Sequence, residues 1–509
     1  MNPIVQKHRI TSTIILLVAS FFGACFFFFA LFPGLSSAVC EVEVNSVSSP
    51  EGAVILIIDG LSAPYVYPEL TPYALDGSPL EKARLENIPE ISENSARILE
   101  FRVPQTFTEG GHSVLVTGNS KADSEIVSFK DATIFDILHK NGYLCIAVME
   151  KGDSWSICAE QDAILRDANN SMADLQITLE QYDHTSISPD PPRGLLALME
   201  KRAEKAPEYV SSKETKDRYS GYNRWGIDVA SAIVEYMRDS AKGQKYLLTI
   251  NVGAVDMSGH YRGSYGYIDC IETLDSDLSS LYNLCTENNI AFFLTGDHGM
   301  CFTSDGSKGG HEAEKYSVTE EAQLVPLLVH AADVKNGVIE EPFRQEDFAP
   351  TLLGVLDISE SPRFADGEQI PLKEHVNLKV ELPAKGRVEV LKAGNLIASA
   401  AEDDEFIFSG LESEATYLIR ATLENGETLE EAEKEEFLNT DSIIGFKLKG
   451  SETQKESSEG ISGNKTEGQI GIVGNNAGFS GSKQLIGYFL IGMINLGGLA
   501  AIAKVLKKK

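Results

Sequence analysis

Short apolar runs punctuate the chain: VILII (54–58), LCIAVM (144–149), YLLTINV (246–252), AFFLT (291–295) and LVPLLVH (324–330). They are continuous rather than alternating, and rich in β-branched side chains. That pattern predicts strands covered on both faces, as in a parallel sheet. Between them, apolar residues recur at helical spacing over 131–142, 225–239, 268–285 and 346–356. Strand–helix alternation over 50–372 predicts an α/β sandwich with a mostly parallel central sheet. Segment 153–224 is polar, has no clear period, and reads as an insertion or cap beside the sheet.

Residues 376–450 change character. VNLKVELP, GRVEVLKAG, EFIFSGL, TYLIRATLENG and SIIGFKLKG alternate apolar and polar positions between turn residues. They predict a small antiparallel β-sandwich. Residues 451–483 are rich in Gly, Ser, Asn and Lys and read as a flexible linker. Both ends carry long uncharged apolar stretches. Residues 12–34 follow Lys7, His8 and Arg9; the other run, 485–503, precedes Lys504 and Lys507 to Lys509. Each is long enough for a span of ~20 residues. The first reads as a transmembrane helix or as a signal peptide cleaved near Ser36–Ala38. The second reads as a C-terminal transmembrane helix over 484–505. Cationic flanks mark the cytoplasmic side, so the body between them is expected at the cell membrane, outside the cytoplasm.

Charge narrows the partners. Among 509 residues, 44 Lys+Arg against 75 Asp+Glu give −31. That excludes a nucleic-acid partner, because phosphate neutralisation needs clustered cations. Cys25 lies in the first apolar run, and the other six cysteines would face an oxidising exterior. Cys145–Cys158 and Cys270–Cys285 are the local disulfide candidates, with free buried thiols as the alternative.

Candidate chemistry sits where strands end. VILII runs into Asp59-Gly60. YLLTINV leads to Asp256-Met257-Ser258-Gly259-His260. AFFLT leads to Gly296-Asp297-His298-Gly299. The carboxyl edge of an open α/β sheet is where ligands bind. A fourth piece, Lys308-Gly309-Gly310-His311, follows in a polar loop. Together these supply Asp59, Asp256 and Asp297 with His260, His298 and His311. Mixed Asp/His sets suit Zn²⁺, with Mn²⁺ as the alternative. Six ligands are too many for one tetrahedral zinc and suit two divalent ions about 4 Å apart, as used for displacement at phosphorus. The chain has nine histidines; the remaining six, His112 among them, read as structural or exposed. A loop entering a helix at 103–118 offers threonines whose backbone surroundings would attract a phosphate.

These motifs resemble the alkaline phosphatase superfamily, and within it the type I phosphodiesterase/nucleotide pyrophosphatase branch. The residues carrying the likeness are Ile57-Ile58-Asp59-Gly60, Phe107-Thr108 through Thr117-Gly118, Val255 to His260, Thr295 to Met300 and Gly309-Gly310-His311. Val325 to Leu328 and Asp347 to Leu352 support it. The resemblance implies an alkaline-phosphatase-like fold and roles by position. Asp256, His260 and His311 would hold one metal. Asp59, Asp297, His298 and the nucleophile oxygen would hold the other. Thr108 matches the nucleophile position, with Thr106 as the fallback. Glu109-Gly110-Gly111 stands where nucleotide pyrophosphatases carry Pro-Asn, and no Cys/Ser-x-Pro-x-Arg sulfatase motif is present. Asn119 and Lys130 are candidate substrate contacts by position only. The reading is a membrane-anchored phosphohydrolase acting on an unidentified phosphate ester through a phospho-threonine. Its alternatives are a phosphoethanolamine-type transferase acting on surface glycolipid or polysaccharide, and an inactive binding scaffold.

Overall fold

The computed structural model describes residues 39–150, 155–169, 172, 174–182 and 189–450. The apolar segments at 12–34 and 484–505 and the linker at 451–483 lie outside the described residues. No described helix is long and apolar enough to cross a membrane.

All five apolar runs lie in one ten-stranded sheet. Its order is Gly337–Ile339, Ala96–Arg102, Leu324–His330, Ile290–Thr295, Gly52–Ile58, Tyr246–Val252, Leu144–Met149, Ala163–Asp167 and Ile177–Glu180, with Phe343–Arg344 also pairing Ala96–Arg102. Gly52–Ile58 runs parallel to both neighbours. Its seven residues are all buried. Val54, Leu56 and Ile58 enter one core, Ala53, Ile55 and Ile57 the other. The first core is closed by Arg193–Tyr209, Thr215–Ser240 and Ala254–Glu287. The second is closed by Thr108–Thr117, Ile134–Lys140 and Phe348–Val355. A strand with no polar face thus requires helices on both sides.

Leu324–His330 departs from the parallel expectation: it is antiparallel to both neighbours. Its register against Ala96–Arg102 shifts across Val325 and Leu327. Pro326 stands at that shift, where a residue without an N–H is tolerated. The segment read as a polar insertion holds more regular structure than its pattern suggested. It supplies two strands of the sheet and two long helices, one of which begins at Thr215 rather than 225. Ala254–Glu287 breaks its helical geometry once, at Gly263 (φ 75°). There a Cβ would lie 2.6 Å from Gly306 O, so glycine is needed for both torsion and space.

The expected small sandwich is instead one six-stranded sheet with a single core. His375–Lys392 and Asn395–Glu412, 18 residues each, pair through several register shifts. These irregularities let long strands bend around a core without splitting into two sheets. Ala393 and Gly394 both have positive φ, as a tight two-residue hairpin turn requires. Cys40–Glu43 joins this sheet in parallel, a pairing that its four residues do not announce. Neither candidate disulfide forms among the described residues: Cys145, Cys158, Cys270 and Cys285 are buried and unbridged.

A buried charge ties the two sheets together. Lys373, 4% exposed, contacts Asp357 after Phe348–Val355 and lies 3.7 Å from Asp441. Asp357 also accepts from Asn377 Nδ2 (3.0 Å), and Asp441 from Asn377 N (2.7 Å). Burial opposes the charge on Lys373, but Asp441 and Asp357 outweigh it and raise its pKa. Lys373→Ala would leave these carboxylates without their cation, so a loss of about 3–5 kcal/mol is expected. Chemical denaturation of the two proteins measures it; a loss under about 1 kcal/mol contradicts the assignment.

Candidate metal centre

Strand ends and one helix face bring the acidic and imidazole groups together. Asp59 follows Gly52–Ile58, and its N–H donates to Val252 O (3.0 Å). Asp256 and His260 stand one turn apart near the start of Ala254–Glu287, so they share a face. His260 Nε2 is 3.2 Å from Asp256 Oδ1. Asp297 and His298 follow Ile290–Thr295. Cys301–Phe302 and Gly309–Gly310 pair antiparallel and turn the loop back, presenting His311. His311 Nε2 lies 3.0 Å from His260 Nε2 and 3.4 Å from Asp256 Oδ1. The His298 and His311 rings stack with centroids 3.7 Å apart.

Each of these imidazoles is held from behind. His260 Nδ1 lies 3.2 Å from Gly309 O, His298 Nδ1 3.0 Å from Gly299 O, and His311 Nδ1 2.7 Å from Thr106 O. A carbonyl only accepts, so each Nδ1 carries a proton and donates, and Nε2 becomes the inward ligand atom. Burial works against protonating His311, yet the Asp256 carboxylate reverses this and raises its pKa. The potential that attracts a proton there also attracts a metal ion.

The donor atoms of Asp256, His260 and His311 all lie within 4.8 Å of one another, as do those of Asp59, Asp256 and His298. Two overlapping oxygen–nitrogen sets that share Asp256 fit divalent metal ions. Asp297 uses its two carboxylate oxygens differently. Its Oδ1 accepts from Gly60 N (3.0 Å) and His298 N (2.8 Å), while Oδ2 lies 3.5 Å from His298 Nε2. Asp297 thus braces the ligand turns as well as facing the centre.

Thr108 opens Thr108–Thr117, and its hydroxyl donates to His298 Nε2 across 3.2 Å. The Thr106 hydroxyl is committed elsewhere, donating to His311 O (2.9 Å). Of the two threonines, Thr106 fastens the ligand loop and Thr108 faces the ligands. Gly111 explains part of the Glu109-Gly110-Gly111 departure. A Cβ there would sit 2.3 Å from Asp297 O, so only glycine lets the helix lie this close. The unpaired N–H groups of the first helical turn lie beside the Thr108 hydroxyl, where they favour an anion.

The structure adds residues that the motifs did not flag. His112 is buried, with Nε2 3.7 Å from Asp297 Oδ2 and 3.2 Å from the Asn251 amide. Its spacing of four from Thr108 on a helix was a readable signal. Tyr267 Oη donates to Gly60 O (2.7 Å) and accepts from Ser62 N (3.0 Å), pinning the turn after Asp59. Gln345 Nε2 donates to Asp297 O (2.9 Å). Neither stood in a recognisable motif. Asn119 lies past the far end of the ten-residue helix that Thr108 opens, ~15 Å away by helical rise. Its Nδ2 donates to Phe364 O (2.5 Å), so it is not a contact at this centre. Lys130 is solvent-exposed.

The family model for the Metalloenzyme superfamily matches residues 227–353. That span holds Asp256, His260, Asp297, His298 and His311, and over it the likeness to the alkaline phosphatase superfamily drawn from the motifs holds. Among curated proteins, the chain is similar to 2,3-bisphosphoglycerate-independent phosphoglycerate mutases. That of Mycoplasmopsis pulmonis is 30% identical over 112 residues, covering 22% of this chain and 20% of the relative. That of Clostridium novyi is 27% identical over 124 residues, covering 24% and 23%. The matches therefore span about a fifth to a quarter of those relatives. Among solved structures, a variant of alkaline phosphatase PafA aligns with TM-score 0.47 and 13% identity, over 64% of this chain and 99% of that one. The lipoteichoic acid synthase LtaP from Listeria monocytogenes aligns with TM-score 0.43 and 11% identity, over 65% and 78%.

Gly111→Ala is expected to push Thr108 away from the ligand set. A displacement near 1 Å costs about 100-fold in turnover. Steady-state kinetics on phosphate and sulfate esters, with bound metal measured in parallel, test this. An unchanged kcat contradicts the packing argument.

Proposed function

We propose that this protein is a two-metal phosphoric ester hydrolase of phosphodiesterase type that works through Thr108. The observation carrying the reading is the Thr108 hydroxyl, 3.2 Å from His298 Nε2 among converging carboxylates and imidazoles. Asp256, His260 and His311 would hold one metal ion; Asp59 and His298, with Asp297 beside them, would hold the other, Zn²⁺ being the first choice. Bound there, the ions supply Lewis-acid polarisation of the ester and neutralise developing charge. Thr108 loses its proton, Oγ bonds to phosphorus, and the ester oxygen departs with a proton. Water then attacks the phospho-threonine, releasing phosphate product and restoring the hydroxyl. The backbone N–H groups at the start of Thr108–Thr117 receive the phosphoryl oxygens. Glu109, next to the nucleophile, disfavours a dianionic monoester more than a monoanionic diester.

An inert scaffold would have no need to bury Asp59, Asp297 and His298 completely around one point. The cationic flanks of the terminal apolar segments support anchoring at the cell membrane with the catalytic body outside.

A panel of nitrophenyl phosphate, bis-nitrophenyl phosphate and nitrophenyl sulfate tests the substrate class, with bis-nitrophenyl phosphate expected to turn over fastest. Faster sulfate hydrolysis contradicts the reading. Thr108→Ala should abolish both turnover and a phosphoryl adduct seen by intact mass. Thr106→Ser should keep the adduct. An adduct surviving in Thr108→Ala would assign the nucleophile elsewhere. Chelation should remove activity and added Zn²⁺ restore it; activity indifferent to chelator contradicts the metal role. Added acceptor alcohols that divert product from phosphate to a new ester would show transfer rather than hydrolysis.

A further inference from the structure

The helix Ala254–Glu287 carries two of the ligand candidates within its first two turns, yet has no capping side chain of its own. Its N-cap is Gly253. The first N–H groups of a helix need acceptors when buried. Here they come from two other elements. Glu150, directly after Leu144–Met149, takes the Gly253 N–H on Oε2 at 2.9 Å. Asn223, on Thr215–Ser240, takes the Ala254 N–H on Oδ1 at 3.1 Å.

Both accepting side chains are fixed in turn. Asn223 Nδ2 donates to Cys270 Sγ (3.6 Å), on the same ligand helix beyond its kink, which sets the amide's orientation. Glu150 N donates to Asn251 O (3.0 Å), and the Tyr222 hydroxyl donates to Glu150 O. One turn of Thr215–Ser240 makes room for the carboxyl: a Cβ on Gly226 would come 2.5 Å from Glu150 Oε1. Glu150, Tyr222 and Asn223 are all fully buried.

A buried carboxyl is costly, and simple packing would be served by an apolar side chain. What this one touches is the N–H three residues before Asp256 and seven before His260. We propose that Glu150 and Asn223 are positioning residues, an external cap that fixes where Asp256 and His260 stand. The inference rests on the metal-centre reading above. Burial pushes the Glu150 carboxyl up to about 8. It therefore keeps its proton at neutral pH, and glutamine is a close mimic.

The experiment is zinc titration of the chelator-stripped full chain against a competing chelator, for wild type, Glu150→Met, Glu150→Gln and Asn223→Ala. Methionine fills the volume and offers no oxygen acceptor. Glu150→Met is expected to weaken by about 10–100-fold the one site that His260→Ala removes. Glu150→Gln is expected to bind as wild type. If Glu150→Met binds zinc as wild type, or Glu150→Gln loses it equally, the cap is wrong. If Glu150→Met does not fold, by circular dichroism, Asn223→Ala decides: weakening at that same site supports the cap, and unchanged affinity overturns it. A wild type that binds no zinc removes the metal-centre reading itself, and this inference with it. Wild-type binding with an indifferent Glu150→Met removes the cap alone.

Discussion

Negative charge concentrated at one edge of a sheet is the constraint on which the rest of this structure depends. Asp59, Asp256 and Asp297 are buried within reach of one another, where Coulomb repulsion is poorly screened. Such a group is stable only with partners of opposite sign. The imidazoles of His260, His298 and His311 each give their Nδ1 proton to a backbone carbonyl. The side facing the carboxylates is a set of Nε2 ligand atoms, a geometry that a divalent cation completes.

Much of the surrounding chain holds that edge in place. Gly60 is a junction. Its N–H goes to Asp297, its carbonyl to Tyr267, and a Cβ would press on Asp256 at 3.0 Å. Thr106 and His311 exchange bonds in both directions, joining the loop before Thr108 to the loop that presents His311. The two-layer core lets this happen: each central strand is buried on both faces, which fixes where its end stands.

The parts legible in sequence were those with a local signature. Apolar runs of 5 to 7 residues could only be strands of a doubly covered sheet, and Asp-Gly, Asp-x-x-x-His and Gly-Asp-His-Gly marked their ends. Asp59, Asp256, His260, Asp297, His298 and His311 lie close together in the structure. Tertiary context decided what remained. Leu324–His330 reads like the runs that pair in parallel, because direction leaves no trace in composition. Ala96–Arg102 mixes charge into its pattern, with Arg97 buried against Glu69. Glu150 and Asn223 lie in or beside segments without period, and their role exists only once Gly253 is packed beside them. The long strands 375–392 and 395–412 alternate as a sandwich would; bulges that cannot be read from alternation keep them one sheet.

Anomalous diffraction at the zinc absorption edge, on crystals grown with zinc, tests the central claim most directly. The account predicts two peaks about 4 Å apart, one bounded by Asp256, His260 and His311, the other by Asp59, His298 and the Thr108 hydroxyl. Crystals of active protein with no peak there, or with metal held only by other residues, would contradict it.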